Sequence, residues 1–571
     1  MSANTLRRTV TIVEPFACSS HAHLVKWLHK ILQPSSSILP TSTITIVQNN
    51  NVPTSQSLPE LNYNPPEIIS ITLPGKKWHW RMRASSIYLA QQIPLLSLPS
   101  SFSSASSVSF ISSPTSLSNL SSLLYSGNHP PVTTPMTLFV SSMCNLSELI
   151  SLRPDLSLST SCRKIYYMHE NQVTYPSNEE NTNKDINQNR DFHFGWIQFL
   201  SCLVADIIAW NSLYNLESFL TSLPSFLKLI PDKQQYPQQL SSLIQFIRQK
   251  SIILPLPIDP TIDSFLEYNN IQEDLPLSTP ITLSSPTSSS SPALLPKTQK
   301  LRIAWNHRWE YDKNPELFFN TLLQLQQKKL EFEVIILGEK FTEYPPIFDT
   351  ACQTLKETGH LLHAGYVPDR STYIKYLSTC DIAISTANHE FFGVSMLEAM
   401  SCGVFPLTPC NLAYPEVLAP TPEEKHYYSS TEQVIEQILY NSKDITISST
   451  PSTNSSSTRP QNPIYHPPVR ESEHLYTTEK QLRKKLEYFI KNPTVLYQWR
   501  KNLFPVLFPN HESLVHYDSN NEEKDIMTKR IKLESSSSET AVVSALVPPS
   551  VPIEWKFSTS KLAPLYKKLL L

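Results

Sequence analysis

The 571-residue sequence predicts an α/β protein with two doubly wound domains that face each other across a cleft. Two observations support this fold class. In each half of the chain, short and continuously apolar runs alternate with amphipathic stretches, which is typical of a parallel sheet covered by helices on both faces. Between the halves lies a low-complexity stretch rich in Ser and Pro, residues 273–300, which is typical of a linker.

The first domain is predicted over residues 1–270. Its strands are expected at 9–16, 67–74, 136–142, 164–170, 206–212 and 251–257. Helical patterns such as HAHLVKWLHKIL and DFHFGWIQFLSCLVA lie between several of these strands. Two stretches rich in Ser, Pro and Asn, 34–66 and 99–135, are expected to be disordered insertions at loops, because they contain too few apolar residues to form a core.

The second domain is predicted over residues 301–507, after a disordered linker at 271–300. Asn314 and Pro315 have the residue types of a helix N-cap and a first helical position. Further strands and helices are expected at 301–307, 332–339, 370–380 and 381–387, followed by a helix that opens at Gly393. Disordered insertions are expected at 445–470 and 508–552. The last residues, 553–571, form an amphipathic pattern, and this helix is expected to pack back on the first domain.

Composition and charge exclude several classes of protein. The net charge is -2, so any contact with nucleic acid must come from a local basic patch. The eight cysteines form no CxxC pair, which argues against a zinc site and a disulfide framework and favours a reducing compartment such as the cytoplasm. The N-terminus has the pattern of a strand and not of a signal peptide, and no run of about 18 apolar residues predicts a membrane span.

The stretch NHEFFGVSMLEAMSCGVFPL, residues 388–407, predicts a ligand site. Gly393 begins a helix after a strand end, and the free N–H groups of a helix N-terminus suit an anion. Glu398 lies about a turn and a half into that helix, where its carboxylate can accept hydrogen bonds from the hydroxyls of a ribose. Glu390, before the turn, can accept hydroxyls of another polyol. The alternative is a capped helix with two solvated glutamates.

Two cations follow the first strand of the second domain. Arg308 and Lys313 lie five residues apart in the loop between this strand and its helix. A guanidinium fork and a lysine point charge in such a loop suit a diphosphate. The alternative is a solvated loop in which Asp312 stabilises Lys313.

The combination of Arg308, Lys313 and EFFGVSMLEAMSCG resembles the retaining sugar-nucleotide glycosyltransferases of the GT-B type, family 4, which have two Rossmann-like domains. The resemblance implies that both cations neutralise the leaving diphosphate. It further implies that Glu390 holds the donor sugar and Glu398 the ribose. The remaining donor-binding residues that it implies are Phe392, Gly393, Val394, Gly365 and Tyr366.

A narrower resemblance is to the tRNA-queuosine mannosyltransferases. The residues that carry it lie at 73–94, 167–176, 190–220, 384–407 and 412–420. It implies transfer of mannose from GDP-mannose to the queuosine base at the wobble position of a tRNA anticodon. One departure is that the family's Gly-Gly-Ser-His after the first strand is here Cys18-Ser19-Ser20-His21. Ser20 and His21 remain as candidates for acceptor binding, and the alternative for His21 is a structural role.

The acceptor site is expected at KKWHWRMR, residues 76–83. Cations suit phosphates, and indoles suit stacking on an unpaired base. The alternative is a strand-to-helix corner with buried tryptophans. The candidate residues here are Lys76, Lys77, Trp78, His79, Trp80, Arg81 and Arg83.

The sequence HENQ ends another strand of the first domain. By resemblance, His169 contacts the donor sugar, and Glu170 and Asn171 are assigned to the acceptor. The alternative for His169 is a structural histidine.

No Asp-x-Asp lies at a strand end, so neither a metal nor a cofactor is expected. Two rival functions stay open: a non-catalytic RNA-binding protein on a degenerate scaffold, and a mannosyltransferase with an acceptor such as a lipid-linked sugar. No obligate protein partner and no membrane contact are inferred. TKRIKLE, residues 528–534, resembles a nuclear-import signal, although basic clusters of this kind are common in tails.

Overall fold

The protein is described here from a computed structural model. The structure describes residues 8–33, 65–96, 124–127, 129–174, 192–228, 237–258, 300–340, 344–441, 472–507 and 557–571. The linker 271–300, the insertions predicted at 34–66, 99–135, 445–470 and 508–552, and the TKRIKLE segment lie wholly or mostly outside these residues.

The first domain contains a six-stranded sheet in which all described pairings are parallel. The strands are β1 (Thr9–Ala17), β2 (Glu67–Pro74), β3 (Met136–Ser141), β4 (Cys162–Met168), β5 (Ile207–Trp210) and β6 (Ser251–Ile253). They lie in the order β2-β1-β3-β4-β5-β6. The helices are α1 (Ser19–Leu32), α2 (Trp78–Gln92), α3 (Leu146–Leu152), α4 (Pro154–Leu158), α5 (Phe192–Val204), α6 (Leu213–Leu227) and α7 (Pro237–Gln249).

The second domain contains another six-stranded parallel sheet. Its strands are β7 (Leu301–Asn306), β8 (Phe332–Leu337), β9 (Leu361–Gly365), β10 (Ile382–Ile384), β11 (Phe405–Pro409) and β12 (Leu475–Tyr476), in the order β12-β11-β10-β7-β8-β9. Its helices are α8 (Pro315–Gln327), α9 (Ile347–Glu357), α10 (Arg370–Ser378), α11 (Val394–Ser401), α12 (Tyr414–Leu418), α13 (Pro422–Ser429), α14 (Thr431–Asn441), α15 (Glu479–Lys491) and α16 (Thr494–Leu507).

These two sheets confirm the predicted fold class of two doubly wound domains. The predicted strand at 381–387 extends beyond β10, because the residues after Ile384 leave the sheet and form the loop that leads to Gly393. Three strands were not predicted. β9 is only half-buried at the sheet edge, β11 contains two prolines, and β12 has two residues, so each lacks the continuous apolar run of a buried strand.

Strand order explains why distant sequence motifs meet. In the first sheet the chain passes from β1 to β2 on one side and then to β3 on the other. In the second sheet the same reversal occurs at β7, which lies between β8 and β10. Ligands of open α/β sheets bind at the carboxyl ends of strands at such reversals. The loops after β1 and β3 in the first sheet, and after β7 and β10 in the second, are therefore the expected positions of a site.

The chain ends with α17 (Thr559–Leu570), which packs on the first domain. The rings of Trp27 and Tyr566 lie edge to face with their centroids 4.8 Å apart. The Thr137 hydroxyl donates to the carbonyl of Leu570 at 2.8 Å. The C-terminal helix thus packs against the amino ends of β3 and β4, where Arg163 also donates to the carbonyl of Leu569.

Direct hydrogen bonds join the two domains. The Ser212 hydroxyl donates to the Phe391 carbonyl at 2.5 Å, and the Tyr214 N–H donates to Glu416 Oε2 at 3.1 Å. Both donors lie at the start of α6, and Phe391 lies in the loop after β10. These contacts place the carboxyl edges of the two sheets against each other. No helix among the described residues is long and apolar enough to cross a membrane.

Candidate active site

The loop after β7 ends in a 3₁₀ turn, Tyr311–Lys313, that buries a lysine. Lys313 keeps only 9% of its side chain exposed, and its Nζ lies 3.1 Å from Asp312 Oδ2 and 3.5 Å from Glu390 Oε2. It also donates to the His389 carbonyl at 2.9 Å. Burial alone would lower the pKa of Lys313, but the two carboxylates outweigh it and the pKa is raised. Lys313 is therefore a fixed positive charge.

Glu390 is the anionic partner of this lysine. Its Oε1 accepts from the backbone N–H of Phe391 at 3.2 Å and of Phe392 at 3.4 Å. Burial would raise its pKa, but Lys313, His307 and the backbone N–H groups of Gly393 and Phe392 bring the pKa down to about 2. The carboxylate is ionised at neutral pH and can accept only, which suits hydroxyl groups of a sugar.

Gly393 makes the turn from this loop into α11. Its φ is 86°, in the left-handed region, and a Cβ here would lie 2.9 Å from Cε1 of Tyr414. No side chain caps the helix at this position. The first N–H groups of α11, from Val394 onwards, therefore remain available at a helix N-terminus that suits an anion.

Glu398 is held by two residues of α10. Arg370 Nη2 lies 2.6 Å from Glu398 Oε1, and the Tyr373 hydroxyl donates to Oε2 at 3.2 Å. Asn306 Nδ2 in turn donates to the Tyr373 oxygen at 3.2 Å. A ribose bound here would share the carboxylate with Arg370, whose own side chain is largely exposed.

Arg308 differs from Lys313 in its exposure. Its side chain is 44% exposed and pairs with Glu310 at 3.0 Å. Burial raises the pKa of the Cys18 thiol to about 11. Burial would lower the pKa of His21, but Glu14 and Glu170 raise it. The charge of Arg308 opposes the rise at both of these first-domain residues. Arg308 therefore acts across the cleft. On the same edge, Gly365 ends β9 with a φ of 147° and Tyr366 after it is largely exposed.

The opposing face of the cleft carries a stack of polar side chains after β1 and β4. His21 Nδ1 lies 2.9 Å from Glu14 Oε2, and the rings of His21 and His169 are 3.9 Å apart at 31°. His169 Nε2 is buried without a hydrogen-bond partner among the described residues. Burial and the neighbouring His21 hold the pKa of His169 well below its usual value, so that ring is neutral.

Glu14, His21 and His169 bring their donor atoms within 4.8 Å of one another, which raises the question of a metal. An imidazole lone pair lies in the plane of its ring. The two rings overlap with a tilt of 31°, and His21 Nδ1 is already engaged by Glu14, so these residues are held together without an ion. The cluster is a hydrogen-bonded stack in this conformation, and catalysis without metal stays a prediction.

The departure from Gly-Gly-Ser-His is accommodated locally. Cys18 has an extended backbone with φ of -138°, which needs no glycine, and it precedes α1 as its N-cap residue. A Cβ on Gly75 would lie 2.5 Å from the Cys18 Cβ. The missing side chain of Gly75 thus makes room for the cysteine. Ser20 is half-buried in the first turn of α1.

Glu170 and Asn171 occupy different environments although they are adjacent. Glu170 is half-buried and accepts from Gln172 Nε2 at 2.9 Å. Asn171 is fully buried, and its amide donates to Asn215 and Ser218 and accepts from Thr174. This differs from the expected acceptor contact, because Asn171 presents no surface and instead stabilises the loop that carries His169.

The KKWHWRMR segment is the start of α2 and not one uniform surface. Trp78 is half-buried against His79, 3.9 Å away, and Phe194, 4.9 Å away. Trp80 is 66% exposed. Burial and the charge of Arg83 lower the pKa of His79. The cations Lys76, Lys77 and Arg83 are exposed, and Arg81 is half-buried.

Sequence reasoning missed Glu14, Arg370 and Tyr373. Glu14 had a usable signal, because a carboxylate that interrupts an apolar strand must find partners when it is buried. Arg370 and Tyr373 begin a helix with an ordinary polar pattern. Their proximity to Glu398 follows only from the packing of α10 on α11.

One family match and the fold together define the class of protein. Residues 289–431 match the family described as glycosyl transferases group 1. This match covers β7 to α13, which contain the Lys313–Glu390 pair. Together with the two facing parallel sheets, it defines a glycosyltransferase of the GT-B fold.

The first domain narrows the class to one family. Residues 60–134 and 117–258 match the family described as tRNA-queuosine alpha-mannosyltransferase N-terminal. The tRNA-queuosine alpha-mannosyltransferase of Drosophila melanogaster is 35% identical over 381 residues, which cover 67% of this chain and 80% of the fly protein. The chain belongs to the tRNA-queuosine alpha-mannosyltransferase family.

More distant similarities were also found. O-antigen chain mannosyltransferase B of Escherichia coli is 28% identical over 196 residues, covering 33% of this chain and 50% of that protein. Among solved structures, Anabaena HepE with UDP and glucose is 8% identical with a TM-score of 0.41, covering 92% of this chain and 100% of that chain. Starch synthase IV of Arabidopsis thaliana, bound to ADP and acarbose, is 12% identical with a TM-score of 0.38, covering 80% and 75%.

Proposed function

We propose that the protein transfers mannose from GDP-mannose to the queuosine base at the wobble position of a tRNA anticodon, in the cytoplasm. The transfer retains the configuration of the sugar carbon and needs no metal. Membership of the tRNA-queuosine alpha-mannosyltransferase family supports the sugar and the acceptor. The observation that carries the chemistry is the buried Lys313–Glu390 pair beside the open N-terminus of α11.

Different residues of the second domain bind different parts of the donor sugar nucleotide. In this proposal Lys313, Arg308 and the N–H groups at the start of α11 stabilise the negative charge that the diphosphate gains as the sugar departs. Glu390 accepts hydroxyls of the sugar. Glu398 accepts hydrogen bonds from the hydroxyls of the ribose, and these hydroxyls share its carboxylate with Arg370. Preorganised charges of this kind stabilise a leaving group without reorganising during the reaction.

Retention follows from a reaction on one face of the sugar. The C1–O bond to the diphosphate breaks, and the acceptor oxygen forms its bond to C1 from the same side. The acceptor hydroxyl loses its proton to the departing diphosphate oxygen. No protein nucleophile is needed in this scheme. In this proposal His169 contacts the sugar from the first domain, and its buried Nε2, which has no hydrogen-bond partner among the described residues, supports that role.

The acceptor side of the proposal rests on α2. Its exposed Trp80 and the neighbouring Lys76 and Lys77 combine a stacking surface with cations. The net charge of the chain is -2, so attraction to RNA must be concentrated in such a place. We assign this surface to the anticodon arm.

A donor panel tests the proposal. The protein is incubated with radiolabelled GDP-mannose, GDP-fucose, UDP-glucose or UDP-galactose and with queuosine-containing tRNA, with and without excess EDTA. We expect label in tRNA from GDP-mannose alone, an α-linkage in the product, and the same rate with EDTA. Preferential transfer from a uridine donor, or loss of transfer in EDTA with recovery on adding Mg²⁺ or Mn²⁺, would contradict the donor and metal assignments.

A further inference from the structure

Glu14 is a buried carboxylate on the cleft side of β1 that the proposed donor chemistry does not use. Its Oε1 accepts from the Phe16 N–H at 2.8 Å, and its Oε2 accepts from His21 Nδ1 at 2.9 Å. Its side chain keeps 3% of its surface exposed, whereas the His21 side chain keeps 9%. The carboxylate is thus enclosed behind the imidazole, and only the imidazole reaches the cleft.

The hydrogen bond to Glu14 fixes which ring nitrogen of His21 carries a proton. An ionised carboxylate can only accept, so Nδ1 must donate. In the neutral ring Nε2 then carries the lone pair. The structure gives Nε2 no partner among the described residues. The ring is held from below by His169 and from the side by Phe16, so its orientation is set before any ligand arrives.

We propose that Glu14 is a positioning residue of the acceptor site, which holds His21 so that Nε2 accepts a hydrogen bond from an acceptor hydroxyl. The inference rests on the proposed function, because it takes the acceptor to be an alcohol. No bond is made or broken by either residue. The attacking hydroxyl passes its only proton to the departing diphosphate oxygen. The hydrogen bond to His21 Nε2 therefore comes from a neighbouring hydroxyl of the acceptor, which it anchors.

The charges around His21 determine its protonation. Glu14 lies on β1, Glu170 follows β4, Arg308 faces it from the second domain, and the ring stacks on neutral His169. Burial would lower the pKa of His21, but Glu14 and Glu170 outweigh burial and Arg308, so the pKa is raised. Below that pKa, Nε2 carries a proton and cannot accept. Acceptor use therefore increases as the pH rises through the pKa of His21.

Three variants test this arrangement. Glu14→Gln keeps a hydrogen-bond acceptor but removes the charge, so the pKa of His21 falls. In this variant the fall in kcat/KM for tRNA on the acidic side of the pH profile should then occur at lower pH. Glu14→Ala should lower that kcat/KM by roughly 10- to 100-fold, which corresponds to losing a hydrogen bond to a charged group. His21→Asn retains a donor towards Glu14 but has no nitrogen that titrates. Its kcat/KM for tRNA should therefore show no fall on the acidic side of the pH profile.

The control is Asp206→Asn, which makes the same change from carboxylate to amide in the same domain. Asp206 pairs with Lys164 at 2.8 Å. It lies at the amino end of β5, whereas His21 lies beyond the carboxyl end of β1. This variant should keep the pH profile of the wild type. GDP-mannose affinity and melting temperature are measured for all variants, since a positioning role for the acceptor should leave donor affinity unchanged.

Imidazole NMR of the wild-type protein gives a second measurement that needs no variant to fold. His21 should titrate above the usual histidine value, and His169 should stay neutral. An unshifted fall in kcat/KM on the acidic side of the pH profile of Glu14→Gln, or a His21 that titrates below the usual value, would overturn the inference. A failure of the proposed function would be recognised by a different result, because the wild type itself would then not transfer mannose to queuosine-containing tRNA.

Discussion

Arg308 and Lys313 carry the same charge in one loop but differ in burial, and this difference separates their roles by experiment. Arg308 is half-exposed, so Arg308→Ala removes a charge stabiliser with little effect on folding. We expect kcat/KM to fall by roughly 10²-fold or more with an unchanged melting temperature. Arg483→Ala, which breaks a partly exposed pair with Glu479 on α15 and a hydrogen bond to Gln324, is the control. Wild-type kinetics in Arg308→Ala would remove this assignment.

Lys313→Ala should impair both catalysis and stability. It leaves Asp312 and Glu390 buried without their cation, and breaking a buried pair costs about 3–5 kcal/mol. We expect a lower melting temperature and a kcat/KM at least as low as that of Arg308→Ala. Thermal melting and kinetics on one preparation test this. A variant as stable as the wild type would show that Lys313 is not a member of a tight pair.

The spacing of residues in the sequence predicted which side chains lie together at the ends of neighbouring strands. Lys313 and Glu390 follow β7 and β10, and parallel neighbours end at one edge, so their proximity could be inferred. The partners of Glu398 could not be inferred. Arg370 and Tyr373 reach it because two helices pack together, and the sequence around them carries no pattern specific to that packing.

At the scale of the element, the start of α2 contains two tryptophans with different surroundings. Trp80 is 66% exposed, so Trp80→Ala should weaken tRNA binding by about 1–3 kcal/mol if an indole stacks on a base, with no loss of stability. Trp78 packs on Phe194, so Trp78→Ala should mainly lower the melting temperature. Unchanged tRNA affinity in Trp80→Ala would move the acceptor surface elsewhere.

The lysines of the same segment have a different signature. Lys76 and Lys77 are exposed, and contacts to phosphate release counterions whatever the base. Lys76→Ala and Lys77→Ala should therefore weaken binding to tRNA with or without queuosine, and should reduce the salt dependence of binding. Affinity is measured from about 50 to about 200 mM salt, because this interval is wide enough to resolve a change in the slope of log affinity against log salt concentration. An unchanged slope would exclude phosphate contacts by these residues.

Element prediction succeeded where local pattern and burial agree. β1 and β2 were expected at 9–16 and 67–74 and lie at Thr9–Ala17 and Glu67–Pro74. Asn314 accepts from the Leu317 N–H as an N-cap, as its sequence position predicts. β9, β11 and β12 were missed because edge position, proline and shortness each remove the pattern on which prediction depends.

At the scale of the whole molecule, the two domains are one catalytic unit. Arg308 of the second domain influences His21 of the first, and Ser212 bonds the loop that carries Glu390. The fold class could be predicted because the alternation of strands and helices is repeated in both halves. The mutual position of the domains could not, because it depends on single contacts such as Tyr214 to Glu416.

We propose that this two-domain cleft joins mannose to queuosine in tRNA. The most direct measurement is the initial rate of label transfer from GDP-mannose to two tRNAs that differ only in queuosine or guanine at the wobble position. We predict transfer to the queuosine-containing tRNA, none to its counterpart, and a rate that falls at least about 10²-fold in Arg308→Ala. Equal labelling of both tRNAs, or binding of both without transfer, would contradict the account.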